Sequence, residues 1–593
     1  MHQSTQKSRG GQQGRRRIAA LAAAVLLVAP TVAHAVSPPQ DRLANAAKLI
    51  AEGKHKTALK DLEKYVRDFP EAADGWILLG RCLHANQRFA DALDALRRAS
   101  ERPNSLPAAA YHAARACDRL EKLDEAFVWL DRALDAGFED WAALRGDQDL
   151  ERCRQDERFN HRVPYSLDPK KPFVEAQVAI LFDVRGELQK GAFGWSAADV
   201  GDVDADAKRD FAIGAPYHTD SSKHGGKVYI YSGRNGREVV TVAGSDDELL
   251  GWAVGAAGDV NADGKPDFWT AAPGQNGHTG ALYVISGVDG GQLKRLPGQG
   301  TNDRFAESVW PLGDLDGDGV VEVCVAAPGN DAAGEDCGRV YVVSLVDGTV
   351  HATFEGQRAL DRLGGGGVAA WKNGDELRIA ACAPKAGEDR KGVTYVWSTL
   401  EKSEPLVLAG DASARSRGGR IAFVPDLDGD GRPDLLASDE LDDAPSLASA
   451  SLWSWSSKDP SVLFKLHSPL SGDGFGRSVA SLGDLDGDGR GDFVVGAWRS
   501  RRGGPLGGAA TVHSSGATPG SSSGATPGAV IGRVTGGLAR TGFGFCVAPM
   551  SDLDGDGVQE LIVTAPYDKS RGNEAGRAFV LSGASLRPKP EAK

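Results

Sequence analysis

The sequence predicts a multidomain chain: all-α helical repeats first, then an all-β propeller of seven four-stranded blades. Three observations predict it. Small and apolar residues recur with a 34-residue period between about Asp41 and Gly137. Beyond Pro172 the texture changes to short Val- and Gly-rich runs between turns, as many short strands require. Within that second part an acidic loop, with an acid at every second residue and another at its ninth position, returns six times at a spacing near 56 residues. A chain of 593 residues is also too long for one ordinary core.

Residues 1–35 read as a secretory signal cleaved after Ala35. Lys7, Arg9 and Arg15-Arg16-Arg17 form a basic start, Ile18 to Val28 is apolar, and Ala33-His34-Ala35 is a small-x-small cleavage site. The apolar run is too short to span a bilayer comfortably, and no later segment qualifies, so a secreted or periplasmic, cell-envelope protein without a transmembrane segment is expected.

The helical region covers 41–163. Ala58, Ala92 and Ala126 lie 34 residues apart, as do Leu62, Leu96 and Leu130, and Tyr65, Ala99 and Ala133. Pro70, Trp76, Leu79 and Gly80 stand where a tetratricopeptide repeat (TPR) places its terminating, bulky and small residues, and the region resembles three such repeats. Gly53 and Asn86 mark turns, and Phe138 to Val163 reads as a closing cap. The resemblance implies a peptide-binding groove, expected near Asn86 and Tyr111. Residues 164–176 are a linker.

The acidic loops hold the candidate metal ligands. They are Asp202, Asp204, Asp206 and Asp210; Asp259, Asn261, Asp263 and Asp267; Asp314, Asp316, Asp318 and Glu322; Asp426, Asp428, Asp430 and Asp434; Asp484, Asp486, Asp488 and Asp492; and Asp552, Asp554, Asp556 and Glu560. Carboxylates this close repel one another unless a cation lies between them. Hard oxygens at positions 1, 3, 5 and 9, with a backbone carbonyl at 7, suit Ca²⁺, so up to six structural calcium ions are expected. The formal charge is −13, and the first 35 residues carry five bases and no acid, which leaves about −18 on the remainder. That acidity is concentrated in the loops and argues against nucleic acid as a partner.

Around each loop the unit reads alike. An aromatic–glycine pair (Phe193-Gly194, Phe475-Gly476, Phe543-Gly544; Phe305-Ala306 in the third unit) precedes a strand, the loop follows, and an apolar strand ends in Ala-Pro (Ala215-Pro216, Ala272-Pro273, Ala327-Pro328, Ala565-Pro566). A fourth unit without the loop carries Trp371-Lys-Asn-Gly-Asp375 and Ala383-Pro384. Four short strands per unit make a propeller blade. Residues 177–586 resemble the FG-GAP repeats of the integrin alpha propeller, in which seven units is the usual number; 587–593 form a tail. The departures are Ala207 for the loop glycine, Asn261 for an aspartate, Gly418-Gly419 for the aromatic pair, and an insert with Ser-Gly-Ala-Thr-Pro-Gly twice. The segment 176–188 is expected to complete the last blade.

Hairpin alternation puts the metal loops on one face and the loops after Ala-Pro on the other, which the resemblance marks as the partner-binding face. There Trp498, Arg499, Arg501 and Arg502 are the candidate contacts for a protein or glycan partner. His218, His224 and His278 read as solvated loop residues, and Arg145-Gly146-Asp147 and Arg490-Gly491-Asp492 as structural rather than adhesive. Cys324 and Cys337 read either as a bridge or as small buried residues, and Cys82 and Cys117 as helix packing. No nucleophile, dinucleotide or zinc motif is present. The expected function is therefore non-enzymatic: an exported calcium-binding interaction, adhesion or scaffold protein. The alternatives are a propeller enzyme acting on polysaccharide or phospholipid, and a structural envelope component.

Overall fold

The structure is a computed structural model. It describes residues 40–587 apart from 103–104, 139, 161, 164–167, 188–189, 220–222, 388–389, 391, 400–403, 409–419, 428–430, 439–450, 456–461, 469–471, 517–526 and 572–573. The expected signal segment, Asp428, Asp430, Gly418-Gly419 and most of the Ser-Gly-Ala-Thr-Pro-Gly insert lie outside the described residues.

Six helices open the chain: α1 (Gln40–Ala51), α2 (His55–Asp68), α3 (Ala73–Ala85), α4 (Phe89–Ser100), α5 (Leu106–Arg119) and α6 (Leu123–Asp135). The 34-residue series form their shared core, and none of those nine residues is more than 1% exposed. Small side chains let the helices approach: a Cβ on Gly80 would lie 2.5 Å from Leu96 Cγ. The turn within each pair needs one left-handed residue, and Gly53, Gln87 and Glu121 supply it at φ 75, 61 and 62°. The period therefore extends to the turns. Short helices at Trp141–Gly146, Glu151–Gln155 and Glu157–Asn160 add Leu144, Cys153 and Phe159 to the same core. Tyr111 is buried, stacks on Phe138 and donates to Asp147 at 2.5 Å, and Asn86 caps α3 by donating to the Cys82 carbonyl. Neither is among the residues lining the open groove on α1, α3 and α5, between Asp41, Asp74, Ile77 and Arg81.

The remainder is a β-propeller. Among the described residues it has seven antiparallel four-stranded sheets. Sheets 1 to 6 span 196–243, 254–297, 308–355, 368–408, 421–467 and 475–535. Sheet 7 takes Val547–Met550, Glu560–Ala565 and Arg577–Leu581, and its fourth strand is Ile180–Arg185, from before sheet 1. Second strands are buried on both sides, so they read as unbroken apolar runs, and alternate residues serve alternate neighbours. Val323 and Val325 pack toward sheet 2, whereas Cys324 and Ala326 pack toward sheet 4. Such a cluster lies between every successive pair of sheets, and the one uniting Val184 and Val580 with Phe211 and Tyr229 joins sheet 7 to sheet 1.

The seam is polar as well. Arg577, 1% exposed, donates to both Asp183 oxygens at 2.6 Å and to the Pro169 carbonyl. Burial pushes the Asp183 carboxyl up, but hydrogen bonds from Arg577 and Arg185 outweigh it and hold the group below its ordinary value. All seven cysteines are free thiols, so Cys324 and Cys337 form no bridge: the first packs between sheets 3 and 4, and the second contacts the Asn330 carbonyl at 3.4 Å. His218 is buried rather than solvated, with its ring 3.3 Å from the Tyr229 hydroxyl. Among the described residues no helix is long and apolar enough to cross a membrane.

Candidate functional site

Each acidic loop joins the first and second strands of its sheet and folds around its own carboxylates. The first aspartate accepts the backbone N–H of position 6 in all six loops: Ala207 at 2.9 Å, Gly264, Gly431, Gly489 and Gly557 at 2.8 Å, and Gly319 at 2.9 Å. Position 6 must be left-handed to present that N–H, which suits glycine; Ala207 is held there at φ 71°. The ninth-position acids Asp210, Asp267, Glu322, Asp434, Asp492 and Glu560 are each fully buried. Each accepts the N–H of position 2, from Val203 (2.7 Å), Val260 (2.9 Å), Leu315 (2.7 Å), Leu427 (2.6 Å), Leu485 (2.8 Å) and Leu553 (3.2 Å). In sheets 1, 2 and 7 the other oxygen accepts from Gly233, Gly287 or Gly583 beyond the third strand. These acids therefore brace the loop against the sheet, a role that spacing alone does not reveal.

Their environment disfavours the anion. Burial pushes Asp210 up to about 6 and Asp492 to about 7, with backbone N–H donors pulling the other way, and raises Asp267, Glu322 and Glu560 as well. A cation beside them would relieve that cost. The geometry fits one: ligand atoms of Asp202, Asp204 and Asp206 lie within 4.8 Å of one another, as do those of Asp314, Asp316 and Asp318, of Asp484, Asp486 and Asp488, and of Asp552, Asp554 and Glu560. Asp556 accepts the Val558 N–H at 2.8 Å beside the last group. In the second loop Asn261 and Asp259 both accept the Asp263 N–H at 3.0 Å. Of the candidate ligands in the fourth loop, which belongs to sheet 5, only Asp426 and Asp434 are described. The loops are also tied to their neighbours: Lys208 donates to the Leu553 carbonyl at 2.6 Å and Arg490 to the Asp426 carbonyl at 3.0 Å.

The opposite face carries a second site. The innermost strands of all seven sheets line a central cavity of about 500 Å³. Its mouth is aromatic: Trp195 lies 5.0 Å from Trp252 and 4.9 Å from Phe545, ring centre to ring centre. Arg477 sits 4.3 Å over the Phe545 ring, and among the described residues its guanidinium has no carboxylate partner. Trp498 joins this group, 5.7 Å from Phe545 and 5.6 Å from Tyr567, with Arg499 stacked 4.2 Å above it. Arg501 is exposed and Arg502 half-buried. Trp195, Glu307, Arg477 and Phe545 each follow the second residue of an aromatic–glycine or related pair, and Trp252 follows Leu250-Gly251. That position was the overlooked signal for the mouth.

Comparison with known proteins agrees with this architecture. Residues 43–106 match the Tetratricopeptide repeat family, 407–495 an FG-GAP-like repeat, and 194–231, 250–285 and 547–581 the FG-GAP repeat. Curated relatives include human integrin alpha-6, 32% identical over 155 residues (25% of this chain and 13% of that one). Mouse integrin alpha-2 is 30% identical over 196 residues (30% and 16%), and chicken integrin alpha-V 34% over 161 (25% and 15%). The chain thus spans less than a fifth of the length of each of these relatives. Its N-terminal helices are tetratricopeptide repeats, and its β-propeller is built on FG-GAP repeats similar to those of integrin alpha subunits.

Proposed function

We propose that this is an exported, non-enzymatic interaction protein, in which a seven-bladed ring braced by up to six structural calcium ions presents its other face to a protein or glycan partner. The observation that carries the reading is the division of labour between faces. Every acidic loop joins first to second strands, and in the loops that begin at Asp202, Asp314, Asp484 and Asp552 the ligands close on one another, whereas the residues after the aromatic–glycine pairs converge on the mouth opposite. Flat aromatic faces beside an uncompensated guanidinium suit recognition of a partner that brings an acidic group. Catalysis at the mouth would need a free acid or base. Of the described lining carboxylates, Glu307 is tied to Arg304 at 2.5 Å and Asp199 to Arg209 at 2.8 Å, and no described lining residue is histidine. The basic and apolar start of the chain, with its Ala33-His34-Ala35 site, supports export.

The test is affinity capture from envelope extract on the immobilised protein, in calcium and in chelator. Arg477→Ala, and Arg499→Ser with Arg501→Ser and Arg502→Ser, should each reduce capture while circular dichroism stays unchanged. Capture indifferent to both variants and to chelation would remove the propeller from recognition.

A further inference from the structure

Six sheets share one irregularity. In the fourth strand the pairing with the third skips a single residue at the same place, a bulge that re-aims the skipped side chain. The skipped residues are Leu181, Val239, Leu293, His351, Leu463 and Ile531. Five are aliphatic and pack against the inter-sheet clusters. The one in sheet 3 is an exposed imidazole.

That imidazole meets the third acidic loop. A ring nitrogen of His351 and one oxygen each of Asp316 and Glu322 lie within 4.8 Å of one another. Glu322 is fully buried; its Oε2 accepts the Leu315 N–H at 2.7 Å, but Oε1 has no hydrogen-bond partner among the described residues. A buried carboxylate oxygen without a partner costs free energy. The matching glutamate of sheet 7, Glu560, has both oxygens satisfied, by the Leu553 and Gly583 N–H groups. Sheet 3 therefore differs twice at one point: it has an orphaned oxygen, and it has a nitrogen donor where every other bulge has a hydrocarbon.

Calcium takes oxygen ligands and makes no use of an imidazole, whereas zinc and its neighbours in the transition series accept mixed nitrogen and carboxylate sets, with a water completing the shell. We propose that Asp316, Glu322 and His351 form a mixed carboxylate–imidazole site that binds a borderline divalent ion of the zinc type, setting the third loop apart from the other five. The inference rests on the reading of the acidic loops as cation sites but fails separately from it.

The experiment is equilibrium dialysis of the full chain at saturating calcium, with zinc added and both metals counted, and with cobalt as the spectroscopic probe. One zinc per chain should bind, and cobalt should give the intense visible bands of a low-coordinate site. His351→Leu places at the bulge the residue that Leu293 and Leu463 already provide, so the sheet should fold. It should weaken zinc binding by at least about tenfold, since even outer-shell changes cost that much, and leave the calcium count on the other loops unchanged. Glu322→Gln should also lose the zinc, and serves if His351→Leu does not fold. Zinc bound equally by wild type and His351→Leu, or none bound by wild type, overturns the proposal. A His351-dependent zinc with no calcium on the other loops would uphold it and sink the calcium reading instead.

Discussion

Sheets 3 and 4 are neighbours, share one hydrophobic cluster and solve the same electrostatic problem in opposite ways. In sheet 3 the second strand starts at Glu322, paired with Ser344 of the third strand. In sheet 4 the position paired with the corresponding Ser398 is Arg378, 2% exposed. Arg378 donates to Glu376 at 2.6 Å, and the Ser398 hydroxyl donates to the same carboxylate at 3.2 Å. Burial raises the Glu322 carboxyl above its ordinary value. Burial also pushes Glu376 up, but Arg378 more than compensates and holds it below. Where sheet 3 keeps an acidic loop, sheet 4 turns in two residues, Gly374 and Asp375, and carries its own cation. The contrast teaches that the loop and the buried acid form one unit: when the loop goes, the acid at that position goes with it.

The comparison breaks most visibly if calcium is removed. A bound ion present at a hundredfold over its Kd contributes about 2.7 kcal/mol per site. Chelation should lower the propeller transition in scanning calorimetry by the sum over the occupied loops and leave the helical transition in place. Identical propeller endotherms in calcium and chelator would contradict the assignment.

The next effect belongs to sheet 4. Arg378→Met leaves Glu376 buried without its partner and should cost about 3–5 kcal/mol. Chemical denaturation should show the same loss with and without calcium, because that sheet has no acidic loop. Glu376→Gln combined with Arg378→Met should recover most of it.

Acid separates these sites from the rest of the core. His513 is buried in sheet 6, stacked on Phe493 at 5.3 Å, and burial pushes its pKa down to about 4; burial likewise drives His112 to about 3. The unfolded chain takes up these protons near 6.5 and the folded chain does not, so the stability they confer is complete above about 6.5 and is lost as pH falls toward 4. His513→Gln should flatten the stability–pH slope in that window by up to about one proton. An unchanged slope would show that the carboxylates alone govern acid sensitivity.

The smallest effect sharpens the comparison among the loops themselves. Ala207→Gly relieves a left-handed alanine worth about 1 kcal/mol and should tighten calcium binding at the first loop alone, read by titration against the other sites.

Periodicity made both halves of the molecule legible. The 34-residue series named the helical core, and the acidic spacing placed the loops between the right strands. Legibility failed where function depends on strands distant in sequence. The mouth draws Trp195, Trp252, Arg477 and Phe545 from four sheets, so the position after each aromatic–glycine or related pair gains its meaning only when the closed ring brings the four together. Arg378 is a substitute only in register with Ser398, and His351 meets Glu322 only because a bulge turns it there. Spacing marked the ninth-position acids as ligands but could not show that each is also hydrogen-bonded to its own loop. His218 and Tyr111 were misplaced for a related reason: burial by Tyr229 and by Asp147 with Phe138 is tertiary.

The seam between Ile180–Arg185 and Arg577–Leu581 has a consequence for the order of assembly. The strand that closes the ring is made first among the β segments and must wait for the last strand to be synthesised, some four hundred residues later. Until then it is an open edge, and open edges recruit other chains. The helical repeats, built from near neighbours, need no such delay. A ribosome releasing this chain from its N-terminus therefore delivers a finished helical domain tethered to an unfinished ring, and any truncation before Leu581 leaves the ring without its clasp.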